Sequence, residues 1–371
     1  MQNYLVKVGE PVEVLAAAGQ LIAHSQLEQA HTLLDELLAT LDPHDDITKL
    51  CALALRYRNK TDIPMYLRDL EEEDKQINVF DLVLRSVPPV RVVSASALQT
   101  MKELYSSGIS SFTHLNIGIG KGRFEAQMLQ ELAQLSPAKM PKHIKIIGID
   151  IDNDSLQETG EAIQHIADTL FPETTTIEYT PIFAFAEAIT PETWEAIHQH
   201  DTDVLGVISA FTLHHIPTQQ QRQEVINQIA NCDPALLILL EPDVNHFTPE
   251  LAERVANCWN IFGNIFELVD REGLSKAEAN AIKYKFFGRE IEDILSNEES
   301  KRSEKHEPAH RWAERLEKAG FSLHQLGHPE SLRELLSDDS LDIAHNIKQK
   351  FLSTRYNNVP MVAMFTASRF F

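Results

Sequence analysis

The stretch His114–Glu125, HLNIGIGKGRFE, decides the fold of this chain. Glycines stand at alternate positions in it, at Gly118, Gly120 and Gly122, after an apolar run and before a helical pattern. A glycine turn between a buried strand and a helix lets the backbone approach a ligand, and the helix N-terminus adds a partial positive charge. The stretch therefore predicts a strand, a ligand-binding loop and a helix, the simplest alternative being a tight turn that holds nothing.

The glycine spacing separates three kinds of loop. A phosphate-binding P-loop needs GxxxxGK followed by Ser or Thr, and here Leu115 and Gly122 occupy two of the required positions. A dinucleotide fingerprint needs GxGxxG, and Arg123 stands at its third glycine. The GxGxG loop of Rossmann-like methyltransferases remains, so S-adenosylmethionine is the expected cofactor. The cofactor contacts expected in this loop are Asn116, Gly118, Gly120 and Gly122.

An acidic residue at the end of the next strand supports a nucleoside ligand. The run IIGIDID places Asp150 near its carboxyl end, where a carboxylate can accept hydrogen bonds from a ribose diol. Strand alternation puts Asp152 on the same face, so both residues stay candidates and Asp150 is preferred.

From residue 111 onward, short apolar runs alternate with helical patterns. The strand-like runs are THLNIGIG, HIKIIGIDID, TTIEYTPIF, TDVLGVISAF and PALLILLEPD, with FSLHQLG and VPMVAMFTASRFF near the end. Such alternation predicts an α/β fold with a mostly parallel twisted sheet and helices on both faces. The expected class is a Rossmann-like methyltransferase core with an α-helical cap.

The segments around this core read as helices. Four are expected before residue 110, one of them with Ser25 as N-cap and one stopped by Pro88 and Pro89. We expect a cap over 1–110, a first core part over 111–245, a helical insertion that completes the cap over 246–310, and a second core part over 311–371. The charged run SNEESKRSEKHE, residues 296–307, reads as a solvated connection.

Composition narrows the class of partner. The formal net charge of −22, from 33 Lys and Arg against 55 Asp and Glu in 371 residues, disfavours nucleic acid and membrane surfaces. Three widely spaced cysteines without a CxxC pair argue against disulfides and a zinc site, and favour a reducing, cytoplasmic location. The acidic N-terminal stretch is a poor signal peptide, and no apolar run approaches about 20 residues.

Candidate chemistry lies at the carboxyl edge of the predicted sheet and in the insertion. Glu241, His215 and His246 are candidate catalytic residues. Asp243, Asn245, Arg289, Glu290 and Trp312 are candidate substrate contacts, with an ion pair and a packing aromatic as the alternative for the last three. His214 and His215 can also simply cap the next helix. No metal is expected, because adjacent histidines diverge, no third ligand is evident and no HExxH occurs.

The order of these segments resembles the GRAS-domain family, from about residue 14 to the end. The run ISAFTLHHIP is similar to the family's VNSxFxLHxLL, and LILLEPDVNHFTPELAERV to LTLVEQEANHNxPxFLxRF. FFGREIEDIL resembles FGREIxNIV, and HEPAHRWAERLEKAGF resembles RHExxxxWRxRLxxAGF. VPMVAMFTASRFF resembles PLVAASAW, and HLNIGIGKGRFEAQMLQELA stands where the family has its VHIID motif.

The resemblance implies a Rossmann-like core beneath a helical cap. Plant members are regulators that act through protein partners, and most lack the glycine loop. Because this chain has NIGIGKG at that place, it looks closer to bacterial members, which are predicted to be methyltransferases. The first hypothesis is therefore a methyltransferase that encloses a small-molecule acceptor. The second is a non-catalytic regulatory module that binds a small ligand or a partner protein. The apolar cap helices also predict a homodimer.

Overall fold

A computed structural model of the chain describes residues 10–58, 76–325 and 341–369, apart from residues 347 and 349. Among them, no helix combines the length and the apolar character that crossing a membrane requires. The three cysteines are buried and carry no disulfide.

Thirteen α-helices are described. They are α1 (Pro11–Ala23), α2 (Leu27–Thr40), α3 (Asp46–Arg56), α4 (Gln76–Ser86), α5 (Pro88–Tyr105), α6 (Arg123–Leu132), α7 (Asn153–Leu170), α8 (Pro191–His198), α9 (Gln219–Asn231), α10 (Leu251–Arg271), α11 (Lys276–Asn280), α12 (Gly288–Ser296) and α13 (Ala309–Lys318). A π-helical segment, Ala281–Phe287, connects α11 to α12.

The described strands form one mixed sheet. They are β1 (Ser111–Ile117), β2 (His143–Asp150), β3 (Thr176–Phe183), β4 (Val204–Ala210), β5 (Leu236–Pro242), β6 (Ser322–His324), β7 (Leu341–Asn346), β8 (Phe351–Tyr356) and β9 (Val359–Ser368). Their order is β3-β2-β1-β4-β5-β9-β8-β7, and β6 also pairs with β9. The first five run parallel, whereas β9 runs antiparallel to β5.

The sheet confirms the expected α/β class. The central strands β1, β4 and β5 are buried almost throughout, as apolar parallel strands covered on both faces require. Parallel pairing brings the carboxyl ends of β2, β1, β4 and β5 to one edge. The residues that follow those strands therefore lie near one another. The finer expectation of a methyltransferase-type core stays a prediction.

The chain divides into two compact units. A helical unit comprises Met1–Pro88, Val244–Glu307 and Tyr356–Met361, and a sheet unit comprises Pro89–Asp243, Pro308–Arg355 and Val362–Phe371. These bounds differ from the predicted ones at α5, which we expected in the cap. Within the sheet unit the Tyr105 ring stacks on Phe112 with centroids 3.6 Å apart. Apolar packing on β1 thus assigns α5 to the sheet unit.

Several local predictions were wrong. Helix α2 begins at Leu27 with Gln26 at its N-cap, because Ser25 has a positive φ of 60°. Helix α4 does end at Ser86, before Pro88 and Pro89 as expected, and Pro88 then begins α5, since proline is compatible with a first helical turn. The sequence interpretation also missed α8, β7 and β8. The charged run at 296–307 is solvated only over residues 298–301, whereas each residue from Arg302 to Glu307 is at most 5% exposed.

Candidate functional site

The glycine loop joins β1 to α6 with an unusual backbone. Gly118, Gly120 and Gly122 all have positive φ, at 85°, 54° and 62°. L-residues rarely adopt this region, so glycine is the natural choice at each position. The loop is fixed to β2, because the N–H groups of Gly118 and Ile119 both donate to the Ile149 carbonyl, at 2.8 and 3.1 Å.

Two of these glycines are required by the chain's own packing. A Cβ at Gly118 would come within 3.0 Å of the Thr212 side chain, and a Cβ at Gly122 would do the same against Thr159. Thr212 follows β4 and Thr159 lies on α7, so the loop is pressed between neighbouring elements of the sheet unit. The expected contact of Gly118 and Gly122 with a cofactor is therefore not needed to explain the glycines, and it stays a prediction.

Asp150 fastens the middle of the loop. Its Oδ2 accepts the Gly120 N–H at 2.8 Å, and its Oδ1 accepts the Asp152 N–H at 2.9 Å. Burial raises the pKa of Asp150, and these backbone donors oppose that rise. Each carboxylate oxygen can accept a second hydrogen bond, as a vicinal diol would supply.

Asp152 accepts its hydrogen bonds from different groups than Asp150 does. It is the N-cap of α7, and its carboxylate accepts from the Asp154 N–H at 3.1 Å and from Ser155 Oγ at 3.2 Å. Of the two acids that the sequence left open, only Asp150 accepts a hydrogen bond from the glycine loop.

A buried polar cluster lies beneath the loop. Glu125 Oε1 accepts from Asn116 Nδ2 at 2.6 Å and lies 3.0 Å from His114 Nε2, while His114 Nδ1 contacts the Tyr105 hydroxyl at 3.0 Å. Asn116, an expected cofactor contact, thus directs its amide to Glu125. Within the described residues, Asn116 Oδ1, Glu125 Oε2 and the hydroxyl of Tyr179 are buried without a hydrogen-bond partner. Sequence reasoning missed this cluster, although strand alternation places His114 and Asn116 on one face.

Beside the loop, the end of β4 carries backbone strain. Phe211 has a positive φ of 54°, and its N–H donates to the Leu240 carbonyl at 2.8 Å. A bulky residue in the left-handed region is uncommon and is found more often near functional sites. The conformation immediately precedes Thr212, which packs on Gly118.

A carboxylate–imidazole pair follows Thr212. Glu241 Oε2 lies 2.5 Å from His214 Nδ1, and Glu241 Oε1 accepts the Leu213 N–H at 2.8 Å. Both side chains are at least nine-tenths buried. The partner of Glu241 is therefore His214, the neighbour of the candidate catalytic residue His215. Arg222 donates to the His214 carbonyl and lies over the Trp312 ring at 5.5 Å.

Asp243 and Trp312 are held within the sheet unit. Asp243 Oδ1 accepts the Ala309 N–H at the start of α13 at 2.7 Å, and its Oδ2 lies 3.3 Å from Ser353 Oγ. Burial raises the pKa of Asp243. Trp312 is fully buried on α13 and belongs to the sheet unit. These contacts favour a packing role for both residues.

The remaining candidates belong to the helical unit. Asn245 Oδ1 accepts the Thr248 N–H at 3.2 Å, so its amide shapes the turn before α10. The fully buried His246 places Nδ1 2.8 Å from His306 Nδ1, and its pKa is lowered well below 6.5, mainly by burial. Glu290 is buried on α12, and Arg289 beside it is half-buried. Their expected substrate contacts stay predictions.

The fold and this edge define a class of protein: a mixed α/β sheet unit with an ordered glycine loop, and a separate helical unit. The crystal structure of SCL7 in Oryza sativa has this fold, with a TM-score of 0.78 at 18% identity over 97% of this chain and 99% of that chain.

Residues 11–338 match the model of the GRAS domain family, and the chain belongs to that family. Scarecrow-like protein 1 of Arabidopsis thaliana is 22% identical over 86% of this chain and 56% of that protein. DELLA protein GAI of Gossypium hirsutum is 26% identical over 65% of this chain and 45% of that protein. The chain thus spans about half the length of these curated relatives. Both are plant proteins and give no support to the expected bacterial type.

Proposed function

We propose that this chain is a non-catalytic, ligand-binding regulatory module of the GRAS family, with a nucleoside of the S-adenosylmethionine type as its ligand. Family membership supports the regulatory part, since plant members resembling this chain act through protein partners. The single observation that carries the ligand is the Asp150 carboxylate, which accepts the Gly120 N–H at 2.8 Å and retains lone pairs for a diol.

An exposed aromatic ring next to Asp150 suits the base of such a ligand. Phe183 ends β3, directly opposite Asp150 in the parallel register, and is 66% exposed. The Ala184 N–H donates to the Asp150 carbonyl at 3.0 Å, which fixes this pair of strand ends. An aromatic face stacks on a nucleobase with about 1–3 kcal/mol. Asp150 would hold the ribose and Phe183 would contact the base.

Calorimetric titration of the full chain with S-adenosylmethionine, S-adenosylhomocysteine and NAD tests the proposal. The first two should bind and NAD should bind more weakly, because Arg123 stands where a dinucleotide loop has its third glycine. Phe183→Ala should weaken binding at least about fivefold, the lower end of the stacking range. Leu170→Ala is the control, since Leu170 is an exposed apolar side chain of the same unit. Lack of binding by both sulfur nucleosides overturns the proposal.

Methyl transfer is the second candidate, and the Glu241–His214 pair favours it. A carboxylate on Nδ1 orients the imidazole and leaves Nε2 as its basic nitrogen, the arrangement a general base needs. Incubation with radiolabelled S-adenosylmethionine and a small-molecule library separates the candidates. A regulatory module transfers no label to any acceptor. Label transfer that falls in Glu241→Gln while S-adenosylmethionine still binds would replace the regulatory proposal with an enzyme.

A further inference from the structure

The second half of the segment after α12, Arg302–Glu307, is charged and yet buried. Glu304 and His306 are 0% and 2% exposed, and Glu290 on α12 is 8% exposed. Removing ionisable groups from water is costly unless they are paired, hydrogen-bonded or bound to a metal. A bound metal ion is one arrangement that offsets the cost of burying two carboxylates and an imidazole together.

The three side chains converge. Glu290, Glu304 and His306 each offer one ligand atom, and these atoms lie within 4.8 Å of one another. His306 Nε2 lies 3.2 Å from Glu304 Oε2. Zinc bonds imidazole nitrogen and carboxylate oxygen at about 2.0–2.2 Å, so two of its ligands lie about 3–4 Å apart. The cluster therefore needs little adjustment to surround one ion.

The backbone around the cluster is fixed from two sides. Asp293 Oδ2 accepts the N–H groups of Ser303 and Glu304, at 2.8 and 2.7 Å. The His306 carbonyl accepts the N–H groups of His246 and Phe247, at 2.9 and 3.1 Å. Metal sites rely on such outer contacts to hold the ligands in place.

The second nitrogen of His306 is also engaged. His306 Nδ1 lies 2.8 Å from His246 Nδ1, so one of the two rings donates a hydrogen bond to the other. When a neutral His306 donates this hydrogen bond, its Nε2 carries a lone pair, which is the form of imidazole that binds a metal ion. Within the described residues His246 Nε2 is buried without a hydrogen-bond partner.

The buried Arg302 donates hydrogen bonds to acceptors other than the three ligand side chains. It donates to the backbone carbonyls of His246 and Glu304, at 2.8 and 3.2 Å, and pairs with the half-exposed Glu299. Its guanidinium orients the peptide backbone next to the cluster. It thereby strengthens the frame around the three ligand side chains.

We propose that Glu290, Glu304 and His306 form a structural site for one divalent transition-metal ion, zinc or manganese, within the helical unit. One imidazole and two carboxylates suit either ion. The sequence does not predict this site, because its ligands lie on α12 and on a charged run that is typical of a solvated connection. The site is independent of the nucleoside ligand proposed above.

Titration of the full, chelator-treated chain with ZnCl2 and with MnCl2 tests the site. One ion per chain should bind, and binding should raise the thermal unfolding temperature by mass action. Glu290→Gln should weaken the affinity at least about tenfold, as loss of even an outer contact does. Glu36→Gln is the control, since Glu36 is an exposed carboxylate on α2 of the same unit and contributes no ligand atom to the cluster.

The outcomes are decisive in either direction. Stoichiometric binding lost in Glu290→Gln and kept in Glu36→Gln supports the site, and the ion that binds more tightly identifies it. If native protein binds neither ion, or if Glu290→Gln binds as tightly as native protein, the cluster is an internal ion-pair network and the proposal fails. If Glu290→Gln does not fold, metal content per native chain after refolding with each ion decides instead.

Discussion

Gly118 lies against Thr212 with no space for another carbon: a Cβ on Gly118 would come within 3.0 Å of three atoms of the Thr212 side chain. This close approach joins the loop after β1 to the loop after β4. The positive φ of 85° at Gly118 adds a second requirement for glycine.

Gly118→Ala should therefore destabilise the chain in two ways. A left-handed alanine costs about 1–2 kcal/mol, and overpacking adds about 1–3 kcal/mol. Gly108→Ala is the control, because Gly108 has a φ of 95° and open space around it, so it shows the backbone cost alone. Denaturant unfolding should give the larger loss for Gly118→Ala, with partial recovery in Gly118→Ala/Thr212→Ala. Equal losses for the two single variants would mean that Thr212 yields easily.

The buried Glu241–His214 pair should contribute more to the free energy of unfolding than an exposed pair of the same chemistry. Glu241→Gln places an amide against either the Leu213 N–H or His214 Nδ1, and loss of a charged hydrogen bond costs about 1.5–3 kcal/mol. Glu178→Gln is the comparison, since Glu178 meets His143 at 3.2 Å on the surface. That change should cost at most about 1 kcal/mol. Unfolding free energies of both variants check the difference, and similar values would contradict it.

Loss of the hydroxyl group should change the stability of the chain differently at two tyrosines of the sheet unit. The Tyr179 hydroxyl is buried without a partner among the described residues, so Tyr179→Phe should leave stability unchanged or raise it. The Tyr105 hydroxyl contacts His114 Nδ1 at 3.0 Å, so Tyr105→Phe should cost about 1 kcal/mol. Thermal unfolding of the two variants measures the contrast. A loss in Tyr179→Phe would show that its hydroxyl is bonded in solution.

Asp243 should make stability depend on pH. Because burial raises its pKa above the ordinary 3.8, the native state favours the neutral carboxyl. Its contribution is fully present below the unfolded pKa and is lost as pH rises through the raised folded pKa. Asp243→Asn does not ionise, so its stability relative to native protein should increase as pH rises from about 3 towards neutrality. Unfolding curves of both proteins across that range test this, and a pH-independent difference would contradict it.

The sheet was predictable because its strands are apolar and alternate with helices. Strands β7 and β8 were missed, since residues 341–356 mix polar and apolar side chains without a clear period. The turn that connects β8 to β9 is nevertheless indicated by the sequence. Asn357 and Asn358 both have positive φ, and an Asn pair between two strand-like runs is a recognised turn.

The site was only partly predictable. Asp150 could be found because strand ends meet at one edge of a parallel sheet. The choice between His214 and His215 could not be made, because it depends on where Glu241, 27 residues later, places its Oε2. Burial of the run Arg302–Glu307 could not be foreseen either, since a charged sequence gives no sign of the Asp293 carboxylate that fixes its backbone.

The π-helical segment Ala281–Phe287 sets the rotational phase of everything that follows it on the same continuous helix. An α-helix advances about 100° per residue, so deleting one residue there would turn α12 by that angle relative to α11. The Glu290 side chain would then point away from Glu304 and His306, although the chemistry of every side chain would be unchanged. The number of residues before Glu290 thus sets the direction of its carboxylate. Insertion or deletion of one residue would separate these side chains more completely than any substitution.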